Sequence, residues 1–176
     1  MTLNKAVLLA LTSSLVLLAA GHSPVHAAST ATATVTIKAK FTVPPCTLTV
    51  PPTVFLGSIL PGTQSYRPFT IDIECPVPVS AVIYGQQMGS AMVSGSRTRM
   101  AMTGPAGGGG TPAAFWLSTE GKEIDLTGNG ALDATLGFCA GTTDKRSCTL
   151  TPSTLVMADT PRGQTTATVR FSVMYP

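Results

Sequence analysis

The sequence has few charged side chains. Only 11% of its 176 residues are Asp, Glu, Lys or Arg, whereas about a quarter is usual in soluble domains. Its formal net charge of +3 is too small for electrostatic binding of nucleic acid. Its apolar fraction of 44% is too high for an acidic or basic disordered tail. We therefore expect one globular domain, or a domain with an appendage, and no nucleic-acid partner.

The sequence also lacks an apolar run long enough to span a membrane comfortably. The run Ala6–Ala20 has 15 residues, and a spanning helix needs about 20. Lys5 precedes it, and the small-x-small sequence Val25-His26-Ala27 follows it. This order is typical of a secretory signal peptide cleaved after Ala27, with a retained membrane anchor as the alternative. We expect residues 1–27 to be a signal peptide and the protein to be exported.

Histidine is missing from the mature chain that this cleavage would produce. Both histidines, His22 and His26, lie in the expected signal peptide. Ser-His and Cys-His pairs and His-ligated metals are thereby excluded. The glycine run Gly107–Gly110 is not followed by the Gly-Lys-Ser/Thr ending of a phosphate-binding loop. We expect neither an enzyme nor a cofactor, although composition does not exclude a Ser-Lys pair.

All four cysteines, Cys46, Cys75, Cys139 and Cys148, remain in the mature chain. An even number in an exported protein indicates disulfides, and four cysteines allow three pairings. We favour Cys46–Cys75 and Cys139–Cys148, because each pair is close in sequence and flanks strand-like segments. A metal site is the alternative, but the chain has no CxxC motif.

Breakers are frequent, with 17 glycines and 14 prolines. Such a chain favours short strands joined by turns over a helical bundle. No segment shows a convincing amphipathic helical period. Short apolar or alternating runs predict strands at Thr30–Phe41, Thr53–Leu56, Phe69–Cys75, Val79–Tyr84, Ala114–Ser118, Glu123–Leu126, Thr151–Met157 and Ala167–Tyr175. Seven or so strands predict an immunoglobulin-like β-sandwich.

The stretches between these runs carry weaker predictions. Gly85 is expected to end its strand, and the glycine-rich segment Gln86–Pro112 is predicted to be a long mobile surface connection with one short strand near Met100 and Met102. A turn is expected at Glu120-Gly121.

Two further predictions concern single motifs. Asn129-Gly130 favours a type I′ turn. Trp116 is expected in the core or at a sheet edge, with a ligand platform as the alternative. Asp125, Asn129 and Asp133 lack the 12-residue pattern of a calcium loop.

Two alternating runs are especially regular. Between Thr30 and Phe41 the odd-numbered positions are apolar and the even-numbered ones are Thr or Lys. The C-terminal run has the same pattern, with inward groups expected at Ala167, Val169, Phe171, Val173 and Tyr175. A terminal strand this apolar would be costly to leave at an exposed sheet edge.

At these residues the chain resembles the pilin subunits of bacterial chaperone–usher fimbriae, of the type 1 and P pilus kind. The resemblance covers essentially the whole mature chain. It is carried by the N-terminal extension leading into Pro45-Cys46-Thr47-Leu48, by Val54-Phe55-Leu56-Gly57 and by the strand ending at Cys75. The most specific features are the penultimate Tyr175 and Gly163, which is fourteenth from the C-terminus. The Cys139–Cys148 pair is not part of the common pattern.

The resemblance implies an all-β, immunoglobulin-like sandwich that lacks its final strand. Residues 28–36 would be an N-terminal donor-strand extension and residues 37–176 the pilin domain. The inward groups of the donor strand would be Ala31, Ala33, Val35 and Ile37. The acceptor groove, which the chaperone strand also uses, would be lined by the C-terminal segment with Gly163, Ala167, Val169, Phe171, Val173 and Tyr175.

The resemblance also implies function and partners. A periplasmic pilus chaperone would fill the groove first, and at an outer-membrane usher the extension of another fimbrial subunit would replace the chaperone strand. The protein would be a structural subunit of a surface fimbria that contributes to cell adhesion. The alternative is a single-domain adhesive subunit, or a minor adaptor or tip subunit, that binds a ligand on a host surface.

Overall fold

The computed structural model describes residues 46–105 and 109–176. These residues form ten strands and two short 3₁₀ turns, Asn129–Ala131 and Ala134–Leu136. The strands are β1 (Thr47–Thr49), β2 (Gly62–Ser65), β3 (Phe69–Glu74), β4 (Ala81–Met88), β5 (Met100–Ala101), β6 (Ala114–Thr119), β7 (Lys122–Glu123), β8 (Phe138–Gly141), β9 (Lys145–Val156) and β10 (Thr168–Met174). No helix in the described part is long and apolar enough to cross a bilayer. The expected signal peptide and the run Thr30–Phe41 lie outside the described residues.

The strands form two sheets that enclose one core. The larger sheet has the order β1-β3-β9-β6-β5, with β2 also paired to β9 and β7 to β6, and the smaller has the order β10-β4-β8. Every pairing between these strands is antiparallel. The core contains side chains from both sheets, including Ile71 and Leu150 of the larger and Ile83 and Phe138 of the smaller. The expected all-β sandwich is confirmed.

Strand β3 follows its sequence pattern closely. Ile71 and Ile73 are fully buried, while Thr70, Asp72 and Glu74 are exposed. Alternation places one set of side chains in the core and the other in water, because successive strand residues point to opposite faces. The predicted strand is therefore confirmed, and its side-chain register holds the larger sheet over the core.

Strand β9 is the long central strand of the larger sheet. Its first half pairs with β3 and its second half with β2, on the same edge. Pro152 lies where the two partners meet, and its carbonyl accepts a 2.9 Å hydrogen bond from the Tyr66 N–H. In an antiparallel strand the backbone N and O of one residue point to the same neighbouring strand. Pro152 has no N–H to donate, and its N points to the break between β2 and β3, where no strand hydrogen bond is lost.

Two disulfides join the cysteines in the favoured pairing, Cys46 with Cys75 and Cys139 with Cys148. The Cα atoms of the second pair are 6.0 Å apart. Cys139 lies on β8 of the smaller sheet and Cys148 on β9 of the larger sheet. The second disulfide therefore fastens one sheet to the other, beside the turn that joins β8 to β9.

The segment after Tyr84 differs from the prediction. Gly85 does not end the strand; it is a buried residue in the middle of β4, where a Cβ atom would lie 2.9 Å from Leu126 Cδ2. A glycine inside a strand can thus mark close packing as well as a break. Nor are the described parts of 86–112 a surface connection throughout, because Met100 and Met102 are buried in the core.

Two further local predictions were wrong, and one was confirmed. Residues 53–56 form no assigned strand, and β1 lies earlier, at Thr47–Thr49. Asn129-Gly130 lies in a 3₁₀ turn whose Gly130 packs on Tyr84, so it makes no type I′ hairpin. The turn at Glu120-Gly121 joins β6 to β7, with φ angles of 51° and 79°, as a type I′ turn requires.

Candidate functional site

Strand β10 has a strand partner on one side only within the described residues. All seven of its residues pair with β4, from Thr168 opposite Met88 to Met174 opposite Val82. Its other edge faces the extended segment 50–59, and no described strand pairing joins the two. No described strand therefore pairs with the backbone N–H and C=O groups on this edge.

An apolar groove of about 860 Å³ lies between β10 and the segment 50–59. One wall is formed by residues 163–169 and Phe171, and the other by residues 50–59. The floor belongs to the buried core and includes Met102, Phe115 and Leu117. Among the described residues, the gap thus lies over the core and between two walls, as the groove of a sandwich with one strand missing would.

None of the described residues that line the groove is charged. Its polar side chains are hydroxyls and one amide, such as Thr165, Thr166 and Gln164. The hydrogen bond between Arg99 and Glu123 raises the pKa of Arg99 and lowers the pKa of Glu123, and neither residue lines the groove. An uncharged apolar trough of this kind suits an extended apolar peptide better than it suits acid–base chemistry.

The inward side chains of β10 are fixed by the core beneath them. Phe171 meets Phe138 of β8 edge to face, with the ring centroids 6.0 Å apart. Val169 packs over Gly85, whose missing Cβ would come within 3.7 Å of Val169 Cγ1. Because Gly85 has no side chain, Val169 can pack closely over the backbone of β4.

One end of the groove is held at Gly163, and we call it the glycine end. The backbone there has a φ of 141°, a conformation that favours glycine, and packs against Pro105. Thr103 and Thr166 exchange two backbone hydrogen bonds of 2.8 and 3.0 Å. These contacts join the chain just before β10 to the chain just after β5 of the larger sheet.

The opposite end is closed by Tyr175, and we call it the disulfide end. Tyr175 Oη accepts a 2.7 Å hydrogen bond from the backbone N–H of Cys46. Cys46 is also joined to Cys75, the residue that follows β3. The chain segments that lead into the two walls are therefore joined at this end.

Comparison with known proteins gives matches among solved structures. No protein-family model and no curated protein sequence matches the chain. A subunit from a chaperone-usher pilus studied for rod uncoiling matches with a TM-score of 0.54 and 14% identity, covering 83% of this chain and 96% of that chain. The P pilus rod subunit PapA matches with a TM-score of 0.55 and 14% identity, covering 76% and 100%.

The chain has the fold of a chaperone–usher pilus subunit. This pilin fold is the one that the sequence resemblance implied. At 14% identity the similarity concerns the fold alone, and the function has to be argued from the groove.

The residues assigned to the groove from sequence fall into two groups. Gly163, Ala167, Val169 and Phe171 line it. Val173 and Tyr175 pack against the core cluster at the disulfide end, beyond the lining. The predicted donor groups Ala31, Ala33, Val35 and Ile37 lie outside the described residues, so their role stays a prediction.

Sequence reasoning missed the second wall of the pilin groove. The sequence predicts a strand at Thr53–Leu56, whereas the segment 50–59 lines the groove and pairs with no described strand. Phe55 is 91% exposed there, and Leu56 packs against the core. The sequence signal for this wall was an uncharged apolar run interrupted by prolines. Proline has no backbone N–H to donate, so such a run is a poor candidate for a fully paired strand.

Trp116 takes part in a separate cluster on the larger sheet. It is buried, and the Arg99 guanidinium lies 4.3 Å from its ring centroid. Arg99 also pairs with Glu123 at 2.6 Å. The predicted buried position is confirmed, with Arg99 covering the indole.

Within residues 46–105 and 109–176, no group of three or more His, Cys, Asp or Glu side chains could hold a metal ion. Asp125 instead accepts hydrogen bonds from Arg97 and Thr127.

Proposed function

We propose that the protein is a structural subunit of a surface fimbria that polymerises by donor-strand exchange. The observation that carries the proposal is the uncharged groove beside the free edge of β10. A strand laid there would pair with β10 and bury side chains over Met102, Phe115 and Leu117. The likeness to solved pilus subunits supports the same reading.

The donor in this proposal is the N-terminal extension, residues 28–36, of another fimbrial subunit, followed by Ile37. Main-chain hydrogen bonds would supply pairing, and alternate side chains would supply register. Val35 and Ile37 would each contribute about 1.5–3 kcal/mol on burial, and Ala31 and Ala33 less. The larger groups thus lie at one end of the donor, which gives the segment a preferred register.

The assembly route belongs to the same proposal. Residues 1–27 would direct export, a periplasmic chaperone would protect the groove, and an outer-membrane usher would exchange the chaperone strand for a donor strand. Until that exchange, the exposed edge of β10 is open to uncontrolled pairing with other chains. The finished polymer would lie on the cell surface and contribute to adhesion.

A fusion tests the proposal directly. Residues 28–37 are attached after Pro176 through a short linker, so that the donor can turn back beside β10. We expect the fused chain to be a stable monomer and the unfused mature chain to depend on a chaperone or to polymerise. An unfused chain that folds at high yield as a stable monomer, and that gains nothing from the fusion, would refute donor-strand exchange.

A matched pair of variants locates the effect in the groove. Val169→Asp puts a carboxylate on the lining, whereas Arg170→Asp puts it on an exposed position of the same strand that does not line the groove. We expect the first to weaken binding of a peptide of residues 28–37 by about 2 kcal/mol, or about thirtyfold. The second should change it little. Equal effects would mean that the peptide binds elsewhere.

A further inference from the structure

The two ends of the sandwich carry different exposed apolar groups. At the disulfide end Val77, two residues after Cys75, is 49% exposed. At the other end of the molecule Leu60 and Met157 are 57% and 47% exposed. The other exposed large apolar side chains of the described residues are Val54 and Phe55 on the groove wall and Leu132 beside a 3₁₀ turn.

Strand β9 shows that these groups lie at opposite ends. Its first residue, Lys145, pairs with Glu74, next to Cys75. Its last residue, Val156, pairs with Gly62, and it precedes Met157. Twelve residues of extended chain separate the two by about 35 Å. Met157 also lies with Gly163 around a small cavity, so it belongs to the glycine end.

The donor segment leaves its own subunit at the disulfide end. The chain before Cys46 supplies the donor, and Cys46 is held there by Cys75 and Tyr175. Only residues 38–45 lie between the last donor group, Ile37, and Cys46. An extended chain of that length reaches about 30 Å at most, so the two subunits that it joins must lie close together.

Strand direction decides which end of the acceptor is met. Every described strand pairing is antiparallel, β10 with β4 included, and antiparallel pairs are slightly more stable per residue. A donor antiparallel to β10 ends where β10 begins, at the glycine end. It therefore delivers the disulfide end of its own subunit to the glycine end of the acceptor.

We infer that successive copies form a second, head-to-tail contact, in which Val77 of one copy packs against Leu60 and Met157 of the next. This inference rests on the proposed donor-strand exchange, and it adds a second contact surface between the subunits that the donor strand joins. Such a contact is heterologous, because the two copies use different patches, and heterologous contacts build open polymers. The partner is a second copy of this chain.

Photocrosslinking of the polymer tests the contact. A photoreactive amino acid replaces Val77 in the full mature chain, and crosslinked peptides are identified by mass spectrometry. We expect crosslinks to residues 57–62 or 157–162 of another copy. The same label at Leu132, an exposed residue beside the 3₁₀ turn that packs on Tyr84 at mid-β4, should give none there.

The outcomes separate this inference from the proposed function. A polymer in which position 77 crosslinks to position 77, or to no other copy, overturns the inference and leaves donor-strand exchange standing. A chain that forms no polymer and does not bind the peptide of residues 28–37 refutes both.

A pair of substitutions gives a second measurement. Leu60→Asp with Met157→Asp should lower the rate of polymer extension about tenfold, the size of a contact residue's effect. Binding of the isolated peptide should stay unchanged, because the peptide lacks Val77. An unchanged extension rate would contradict the contact.

Discussion

The backbone N–H of Cys46 donates a 2.7 Å hydrogen bond to Tyr175 Oη, across 129 positions of sequence. This bond joins the first described residue of the domain to its penultimate residue. It closes the groove at the disulfide end, while the walls remain apart over residues 163–171. In the proposed donor-strand exchange, the tyrosine would therefore fix where a donor strand begins.

Tyr175→Phe should destabilise the donor-fused protein by about 1 kcal/mol, because the Cys46 N–H loses its acceptor while the ring is kept. Urea unfolding measures the loss, and hydrogen exchange at the Cys46 amide should accelerate. Tyr66→Phe is the control, since it removes a different hydroxyl contact, to Thr154. Exchange at Cys46 that is unchanged in Tyr175→Phe would contradict this role.

Removal of the two disulfides should have unequal effects. The Cys46–Cys75 bridge spans 29 positions and the Cys139–Cys148 bridge spans 9. Loop-entropy arguments give about 3.5 and about 2.7 kcal/mol respectively. Replacing each pair by alanine in the donor-fused protein and measuring urea unfolding compares them. A larger loss from the 139–148 pair would show that fastening the two sheets matters more than loop length.

Gly85→Ala should destabilise the protein by about 1–3 kcal/mol through overpacking. The added Cβ would lie 2.9 Å from Leu126 Cδ2 and 3.4 Å from the Asp125 carbonyl oxygen. Gly104→Ala is a matched control, because nothing lies within 4 Å of its Cβ position. Thermal unfolding of both donor-fused variants makes the comparison, and similar Tm values would show that the core around β4 yields easily.

Acidification should weaken the fold partly through Glu123. The hydrogen bond from Arg99 lowers the pKa of the Glu123 carboxyl below its ordinary value of 4.5. A carboxyl with a lowered folded pKa contributes stability that is fully present above its unfolded pKa and is lost as the pH falls through the folded pKa. Urea unfolding from about pH 7 to pH 3 should therefore show a shallower decline in Glu123→Gln.

A second variant checks the cause. Arg99→Met removes the hydrogen-bond donor and should flatten the same part of the curve, and the double variant should add little to either single change. Residual acid dependence is expected from Asp133 and Asp159, whose pKa values are also lowered, by hydrogen bonds from Thr135 and Thr111. Additive effects of the two substitutions would contradict coupling between Arg99 and Glu123.

Much of the fold could be predicted because alternation is a local property. Strands β3 and β10 were found from period-two patterns that match the burial of Ile71 and Ile73 and the packing of Val169 and Phe171. The disulfide pairing was also favoured correctly. In both cases the information lies within one short stretch, or in the spacing of a few residues.

The errors fall where distant partners decide. Gly85 was predicted to break a strand, but Leu126 packs where its side chain would be. Met100 and Met102 lie in a glycine-rich segment without periodicity, yet they are buried. Residues 50–59 form a groove wall because they lie across the groove from β10 and make no described strand pairing with it.

By itself, the sequence determined that the chain folds as strands and which side chains of β3 and β10 face inward, and it favoured the cysteine pairing that the structure shows. Only the tertiary structure decided that β10 pairs on one side alone among the described strands, that the described groove lining carries no charge, and that Tyr175 closes one end on Cys46. The reason is that the two-residue period of a strand is set by its own backbone. Which edge of a strand is paired depends on the positions of the other strands in the fold.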